Sequence, residues 1–209
     1  MYKNKKEYRI TPYKIIIHLS TIMKHKFYVL IYCIMCGFPL IGITHDLSKF
    51  SPTEFLTNVK YVKKGISPIA VQKMEFGFSP AWQHHKGHNP HHYEYWMDRF
   101  DEGCYVTRMP FRYAVEMLCD YLAANKTYLG KKASFSSEYK WWQVQRELKS
   151  MHPDSKRFLD IVLKSLNDIE SDKDPKKPHI RSILNRHYLE YAYNISCSRN
   201  TPMQVLIKR

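Results

Sequence analysis

Histidine and aspartate residues that could bind a metal ion recur along the first 120 residues of the chain. His45 and Asp46 are neighbours, and together they offer one imidazole nitrogen and one carboxylate. A single His-Asp pair occurs by chance in many chains, so the prediction of a metal site depends on the other candidate ligands. These are His25 upstream, a histidine cluster within 84–92, and Asp120 further along. We predict that several helices bring these side chains together into one metal site.

The histidine cluster supplies five of the nine residues from 84 to 92, which is far above chance. A helix beginning near Pro80 would carry the first three, and a helix beginning near Pro90 would carry the last two in its first turn. A sharp turn between two helices can direct imidazoles from both into one space. A solvated surface loop is the alternative. After the turn, His91 or His92 can point back toward the first helix, and the expected bystanders are His84 and His88.

Asp120 lies in an otherwise apolar stretch that we predict to be a helix from Met109-Pro110 to about residue 125. A carboxylate in such surroundings is costly unless it is paired or bound to a cation. Glu116 lies four residues earlier on the same face, where it can support a ligand or pair with one. His25 is the expected upstream ligand in the first helix, whereas His18, two turns before it, is an expected bystander.

Prolines that follow capping residues predict where the helices begin. A capping oxygen accepts an orphan backbone N–H, and proline at the first helical position loses no hydrogen bond. Ser51 to Glu54 also has the form of a capping box, in which Glu54 bonds back to the amide of Ser51. The capped prolines are Pro12, Pro52, Pro68, Pro80 and Pro90.

The elements between these starts complete an all-α prediction. The first helix is expected to run from about Pro12 to about Cys36, and a short helical segment to present the His-Asp pair. Strand signals are scarce, and Gly103-Cys104 is expected to open a loop. Further helices are expected near 137–150, 153–171 and 179–196, with a charged linker from Asp172 to Pro178. We expect residues 1–125 to form the metal-binding helical core and residues 126–209 to form a helical C-terminal extension packed on or beside it.

Composition and charge limit the class of partner and the compartment. The net charge of +14 favours anionic partners, whether nucleotides, nucleic acid or a membrane surface, although a solvated basic surface would look the same. An odd number of cysteines without framework spacing indicates a reducing compartment, the cytoplasm or the host cytoplasm of a phage or viral protein. Residues 27–43 carry no charge, but Gly37 and Pro39 interrupt them. We therefore expect a buried helix and a turn, and no membrane association.

The order of the candidate ligands resembles the H…HD…H…H…D signature of the HD-domain metal-dependent phosphohydrolase superfamily. Residues 45–50, His-Asp-Leu-Ser-Lys-Phe, are similar to the HD-[ILV]-[GS]-K-[FLY] form that many members carry. Residues 85–96 resemble a block of an uncharacterised HD-like family of phages and bacteria. The resemblance covers about residues 20–125. It implies an HD-like helical bundle and bound metal, but it names no substrate.

The resemblance also implies roles for individual residues. Asp46 would bridge two ions, and Lys49 would contact a substrate phosphate or fix the metal-bound water. The expected catalytic residues are Asp46 and Lys49 from this resemblance, together with Glu116 from its position on the same helix face as Asp120. Mixed imidazole and carboxylate ligands suit Mn, Fe, Co, Ni or Zn, so one or two such ions are the expected cofactor. The implied ligands are His25, His45, Asp46 and Asp120 for one ion, extended by His85, His91 and His92 in members that hold two.

The predicted function is hydrolysis of a nucleotide or related phosphoester by metal-activated water. A divalent cation lowers the pKa of bound water from 15.7 to about 7. No cyclic-dinucleotide motif follows the double histidine, which argues against that substrate. One alternative is a metal-dependent nuclease, although the expected helix starts leave no place for the hairpin of a ββα nuclease.

A second alternative is a non-catalytic nucleic-acid-binding protein with a structural metal. Aromatic and basic side chains in the C-terminal part could stack on bases and contact phosphates, although such a stripe also suits core packing. Nucleic acid and oligomerisation therefore stay open beside the expected phosphorylated small molecule. The side chains concerned are Tyr139, Lys140, Trp141, Trp142 and Arg146.

Overall fold

The computed structural model describes residues 8–101, 103–171, 179–198 and 200–207. These residues are mostly helical, which confirms the all-α prediction; the predicted linker from Asp172 to Pro178 lies outside them. Short 3₁₀ helices are formed by Leu47–Phe50, Tyr93–Trp96 and Gly130–Lys132. The α-helices of the described residues are α1 (Pro12–Met35), α2 (Pro39–Thr44), α3 (Pro52–Lys60), α4 (Pro68–Phe76), α5 (Pro80–His88), α6 (Phe111–Leu129), α7 (Phe135–Gln145), α8 (Pro153–Ser171), α9 (Ile180–Ile183) and α10 (Arg186–Ser196).

Four of the five capped prolines begin helices, as predicted. The side chains of Thr11, Ser51 and Ser79 accept hydrogen bonds from backbone amides in the first turns of α1, α3 and α5. The fifth prediction is wrong, because residues 89–92 form a turn that leads into the 3₁₀ helix. Asn89 closes the end of α5 instead, since its side-chain amide donates to the carbonyl of His85 at 2.7 Å.

A small antiparallel sheet replaces the loop that was expected at Gly103-Cys104. Its strands are β1 (Met97–Phe100), β2 (Gly103–Thr107) and β3 (Gln204–Ile207), in the order β1-β2-β3. Cys104 pairs with Ile207 across β2 and β3. A Cβ at position 103 would lie 2.6 Å from the carbonyl oxygen of Ile207, so glycine permits this close approach. The partner strand comes from the far end of the chain, so local sequence gives no sign of it.

The core is one cluster of buried side chains to which both predicted units contribute. Val29 of α1 and Leu118 of α6 lie in the same cluster as Trp142, Phe158 and Leu189 from the later helices. Because α6 spans residue 125, the boundary between the predicted units falls inside a helix. The division into a core and an extension stays a prediction.

The uncharged stretch 27–43 forms the end of α1, a turn at Gly37 and the short helix α2. Gly37 has a φ of 81°, which an L-residue rarely adopts, so glycine suits this turn. The expected helix and turn are confirmed. Only one face of α1 is buried, however, and Phe27 on the other face is 59% exposed. Within the described residues, no helix has the length and apolarity that crossing a bilayer requires.

Candidate metal centre

All seven predicted ligands converge at one buried place between α1, α5 and α6. The side chains form overlapping groups in which the possible ligand atoms lie within 4.8 Å of one another. Asp46 belongs to the two larger groups, so its carboxylate lies between them. One group is His25, His45, Asp46 and Asp120, the second is Asp46, His85, His91 and His92, and a smaller third is His45, His91 and Glu116.

The backbone at the His-Asp pair brings two consecutive side chains into this cluster. α2 ends at Thr44, and Asp46 takes a left-handed conformation with φ 55°. Among the described residues it is the one non-glycine with positive φ, a conformation that aspartate tolerates better than most residues. Lys26 of α1 donates to the carbonyl oxygen of His45 at 2.6 Å, which fixes this turn to the helix.

The two carboxylate oxygens of Asp46 face different histidines. Oδ2 lies 3.1 Å from Nε2 of His45 and 3.8 Å from Nε2 of His25. Oδ1 lies 3.3 Å from Nε2 of His85 and 3.4 Å from Nε2 of His91. Asp120 extends the first side, with Oδ1 at 2.9 Å from Nε2 of His25. One carboxylate is therefore shared between two sets of imidazoles.

Two glutamates hold the far sides of the imidazoles. Glu116 Oε1 lies 2.8 Å from Nδ1 of His45 and 3.1 Å from Nδ1 of His91. Glu54 Oε2 lies 2.8 Å from Nδ1 of His85. A carboxylate at this nitrogen fixes the ring and its tautomer, as in many metal sites. Glu116 was an expected support, and its carboxylate lies behind the imidazoles rather than on the central side with Asp46.

Glu54 is a site residue that the sequence did not reveal. Its position three residues after Ser51 suggests a capping box, and its backbone amide does donate to the Ser51 hydroxyl at 3.3 Å. Its side chain, however, does not return to the Ser51 amide, so that half of the prediction is wrong. The carboxylate contacts His84 and His85 instead, each at 2.8 Å. Two histidines offer charge-assisted hydrogen bonds, which are stronger than a bond to one backbone amide.

The inward nitrogens and oxygens are left facing each other. A neutral imidazole carries a proton on one nitrogen only, and the glutamates accept it at Nδ1 of His45, His85 and His91. In this neutral state, their Nε2 lone pairs would face the Asp46 carboxylate. The buried Nε2 atoms of His45 and His91 and the Oδ1 atom of Asp46 form no hydrogen bond among the described residues, whereas Oδ2 of Asp46 lies 2.5 Å from the ammonium nitrogen of Lys49. Such an arrangement is costly unless a cation lies between the groups, so the cluster has the donor set of a metal site.

The charges of the cluster keep its carboxylates ionised. Burial alone would raise the pKa of the Asp46 carboxyl, but nearby His45 and Lys49 hold it well below its usual range. Burial also raises the pKa of the Asp120 carboxyl, but the adjacent His25 and His45 together hold it well below its usual value.

Burial lowers the pKa of the His45 imidazole, but the carboxylates of Asp46, Asp120 and Glu116 raise it well above its usual value, so a metal ion would have to displace a proton from His45. Burial, with help from neighbouring histidines, lowers the pKa of His92 well below its usual value. Ionised carboxylates and a neutral imidazole are the forms that coordinate metal.

A cavity of about 380 Å³ leads from the cluster toward the surface. Its inner end includes Lys49, whose ammonium nitrogen lies 2.5 Å from Asp46 Oδ2. Lys149, from the segment between α7 and α8, also lines it. The ammonium of Lys149 lies 5.0 to 5.5 Å from the centres of three aromatic rings, within cation–π range. The aromatic side chains along the cavity are Trp82, Tyr93, Tyr121, Tyr128 and Trp141.

The expected bystanders lie outside the three ligand groups. His84 bonds Glu54 and stacks on His88, with 4.0 Å between ring centres. His18 lines the cavity, and burial, assisted by the charge of Lys49, lowers its pKa to about 4. In the aromatic and basic stripe, Trp142 is buried and donates to Asp160.

The fold and the cluster define a helical protein with a buried histidine and aspartate group that could hold a metal ion. The chain belongs to a family of unknown function, DUF5662, whose model matches residues 14–165. That range contains every candidate ligand, both glutamates and Lys149. Neither a curated protein nor a solved structure matches the chain. The resemblance to HD-domain enzymes stays a prediction.

Proposed function

We propose that the protein is a metal-dependent phosphohydrolase of the HD type that acts on a nucleotide or a related small phosphoester. The observation that supports it best is the Asp46 carboxylate, which is shared between two groups of imidazoles with glutamates behind them. One divalent ion would be held by the group containing His25 and Asp120, and a second by the group containing His85 and His92. Imidazole and carboxylate donors suit Mn, Fe, Co, Ni or Zn.

The residues of the chain have distinct parts in the proposed reaction. A bound divalent ion supplies water of lowered pKa and neutralises charge on phosphoryl oxygens. Lys49 adds a positive charge at the inner end of the cavity, where it can attract the phosphate of a substrate. Glu54 and Glu116 keep the imidazoles oriented, and the aromatic walls limit the access of bulk water.

The cavity favours a small substrate over the two alternatives. A volume of about 380 Å³ lies at the lower end of the usual range for small-molecule sites, about 300 to 1,000 Å³. The hairpin of β1 and β2 contributes none of the candidate ligands among the described residues, which weakens the case for a ββα nuclease. Trp142 and Arg146 both bond Asp160, which leaves them less available for nucleic acid. The five unpaired cysteines support a cytoplasmic location.

Metal analysis combined with a phosphatase and phosphodiesterase screen tests this proposal. The screen uses p-nitrophenyl phosphate, bis-p-nitrophenyl phosphate and a nucleotide panel. The central variant is Asp46→Asn, because asparagine also tolerates the left-handed backbone while it lacks the charge. The matched control is His187→Gln, an exposed histidine on α10.

The wild type and the control are expected to hold metal and release product, and Asp46→Asn is expected to lose both properties. Metal-loaded wild type that is inert toward the whole panel would disprove the catalytic role and leave the metal site standing. Wild type that binds no divalent transition metal would disprove both.

A further inference from the structure

The outward face of α1 is apolar along most of its length. The inner face buries Ile22, Val29 and Cys33 in the core. A helix on the surface of a protein normally carries polar side chains on its outer face. Here a line of apolar side chains, between 37% and 65% exposed, runs along the outer face: Ile16, Leu19, Met23, Phe27, Ile31 and Ile34. We call this line the α1 stripe.

The spacing of the α1 stripe is the same when it is read in either direction. Its steps are three, four, four, four and three residues, which average the 3.6 residues of a helical turn and so form a straight row. The row is symmetric about position 25. If two copies of α1 packed antiparallel around a two-fold axis there, position 16 would face 34, position 19 would face 31, and position 23 would face 27. The stripe is therefore complementary to itself, as an isologous interface requires.

We propose that the protein forms a homodimer in which the α1 stripes of two copies pack against each other antiparallel. The short helix α2 packs on α1 through Gly42, which lies close to Leu30, and it adds two more exposed apolar side chains, those of Leu40 and Ile43. Together with Tyr13 and the α1 stripe, they make nine exposed side chains. At about 100 Å² each they offer on the order of 900 Å² per copy, compared with about 800 Å² per partner in a stable interface of standard size.

The lysines of α1 favour a second copy over a membrane surface. A helix that lies on an anionic bilayer directs its basic side chains toward the lipid headgroups. The ammonium of Lys24 instead donates to the carbonyl of Thr127 on α6, and that of Lys26 donates to the carbonyl of His45. Both therefore bond to the body of their own chain.

Light scattering and sedimentation of the full chain test this interface. The chain has a mass of 25.0 kDa, so the dimer is expected near twice that value at micromolar concentrations. Met23→Glu would bury two carboxylates per dimer against Phe27, and it is expected to raise the dissociation constant at least about 100-fold. Val144→Glu is the matched control, since Val144 is 68% exposed on α7. It is expected to leave the dimer unchanged.

A mixture of two variants separates loss of the interface from loss of the fold. Phe27→Lys alone is also expected to be monomeric. When it is mixed with Met23→Glu, the new charges face each other across the two-fold axis, and mixed dimers are expected to form. Unfolded chains could not regain the dimer in this way. The metal content of both variants is expected to match that of the wild type, because His25 lies on the opposite face of α1.

Three outcomes would overturn the homodimer. Wild type that stays monomeric up to about 100 μM would do so, as would equal effects of Met23→Glu and Val144→Glu. Salt-sensitive flotation with phosphatidylserine vesicles that Met23→Glu abolishes would assign the stripe to a membrane surface instead. The interface is independent of the catalytic proposal, so the failure of one leaves the other intact.

Discussion

The chemistry of the site depends on which nitrogen of each histidine is free. Glu116 receives the Nδ1 protons of His45 and His91, and Glu54 receives that of His85. The opposite nitrogens then all face Asp46. The sequence revealed the imidazoles and Asp46 because their types and order are distinctive. It could not reveal the role of Glu54, because a glutamate three residues after a serine equally suits a helix cap.

Glu116→Gln is expected to lower the affinity for a divalent transition metal about 10- to 100-fold. Glutamine keeps the size of the side chain but is a weaker acceptor for two ring protons at once. The affinity can be measured by competition with a chromophoric chelator. Glu147→Gln serves as the control, because that carboxylate is 74% exposed and remote from the cluster. An unchanged affinity for Glu116→Gln would show that the glutamate does not orient the ligands.

At the level of elements, local signals and long-range contacts were predictable to different degrees. A capping residue before proline acts within one turn, so the starts of α1, α3, α4 and α5 could be predicted from sequence. The helix expected at Pro90 did not form, because the side chain of Asn89 bonds back to α5 and to the Ser48 hydroxyl. Strand β3 pairs with β2 about 100 residues away, and no local pattern shows this. Both features depend on contacts that exist only in the folded chain. The sequence therefore did not predict the turn at Pro90 or the pairing of β2 with β3.

The packing of α2 on α1 positions the His-Asp pair. Gly42 allows the two helices to approach each other closely, because it has no side chain. A Cβ at this position would lie 2.9 Å from Leu30 Cα and from Cys33 Cβ. Gly42→Ala is therefore expected to lower the free energy of unfolding by about 1 to 3 kcal/mol. It should also weaken metal binding, because α2 leads directly into His45.

Urea unfolding of Gly42→Ala and of a matched glycine variant provides the measurement. Gly87→Ala is the match, since Gly87 is also helical but has no atom within 4 Å of an added Cβ. The control is expected to be more stable than the wild type by about 0.5 to 1 kcal/mol, because alanine favours a helix interior over glycine. If both variants behaved alike, close packing at Gly42 would not be what positions α2.

On the scale of the whole molecule, both of the units predicted from sequence contribute to the cavity. Its inner end comes from α1, α5 and α6, whereas Trp141 and Lys149 come from the predicted C-terminal extension. The sequence indicated that the ligands would meet, because metal-binding residue types are few and their order resembles a known signature. Lys149 could not be predicted to lie at the site, because a lysine near the end of a surface helix normally lies in solvent. The position of Lys149 follows only from the way α7 and α8 pack on α6.

Lys149 is expected to bind a negatively charged part of the substrate, a prediction that rests on the proposed hydrolase function. Burial lowers the pKa of its ammonium, while neighbouring Glu94 acts in the opposite direction. Lys149→Met should lower kcat/KM about 10- to 100-fold, mainly through KM, because a hydrogen bond to a charged group contributes about 1.5 to 3 kcal/mol. Metal content should not change, and exposed Lys140→Met on α7 should resemble the wild type. Unchanged kinetics together with reduced stability would instead show that Lys149 only packs between the rings of Tyr93, Tyr121 and Trp141.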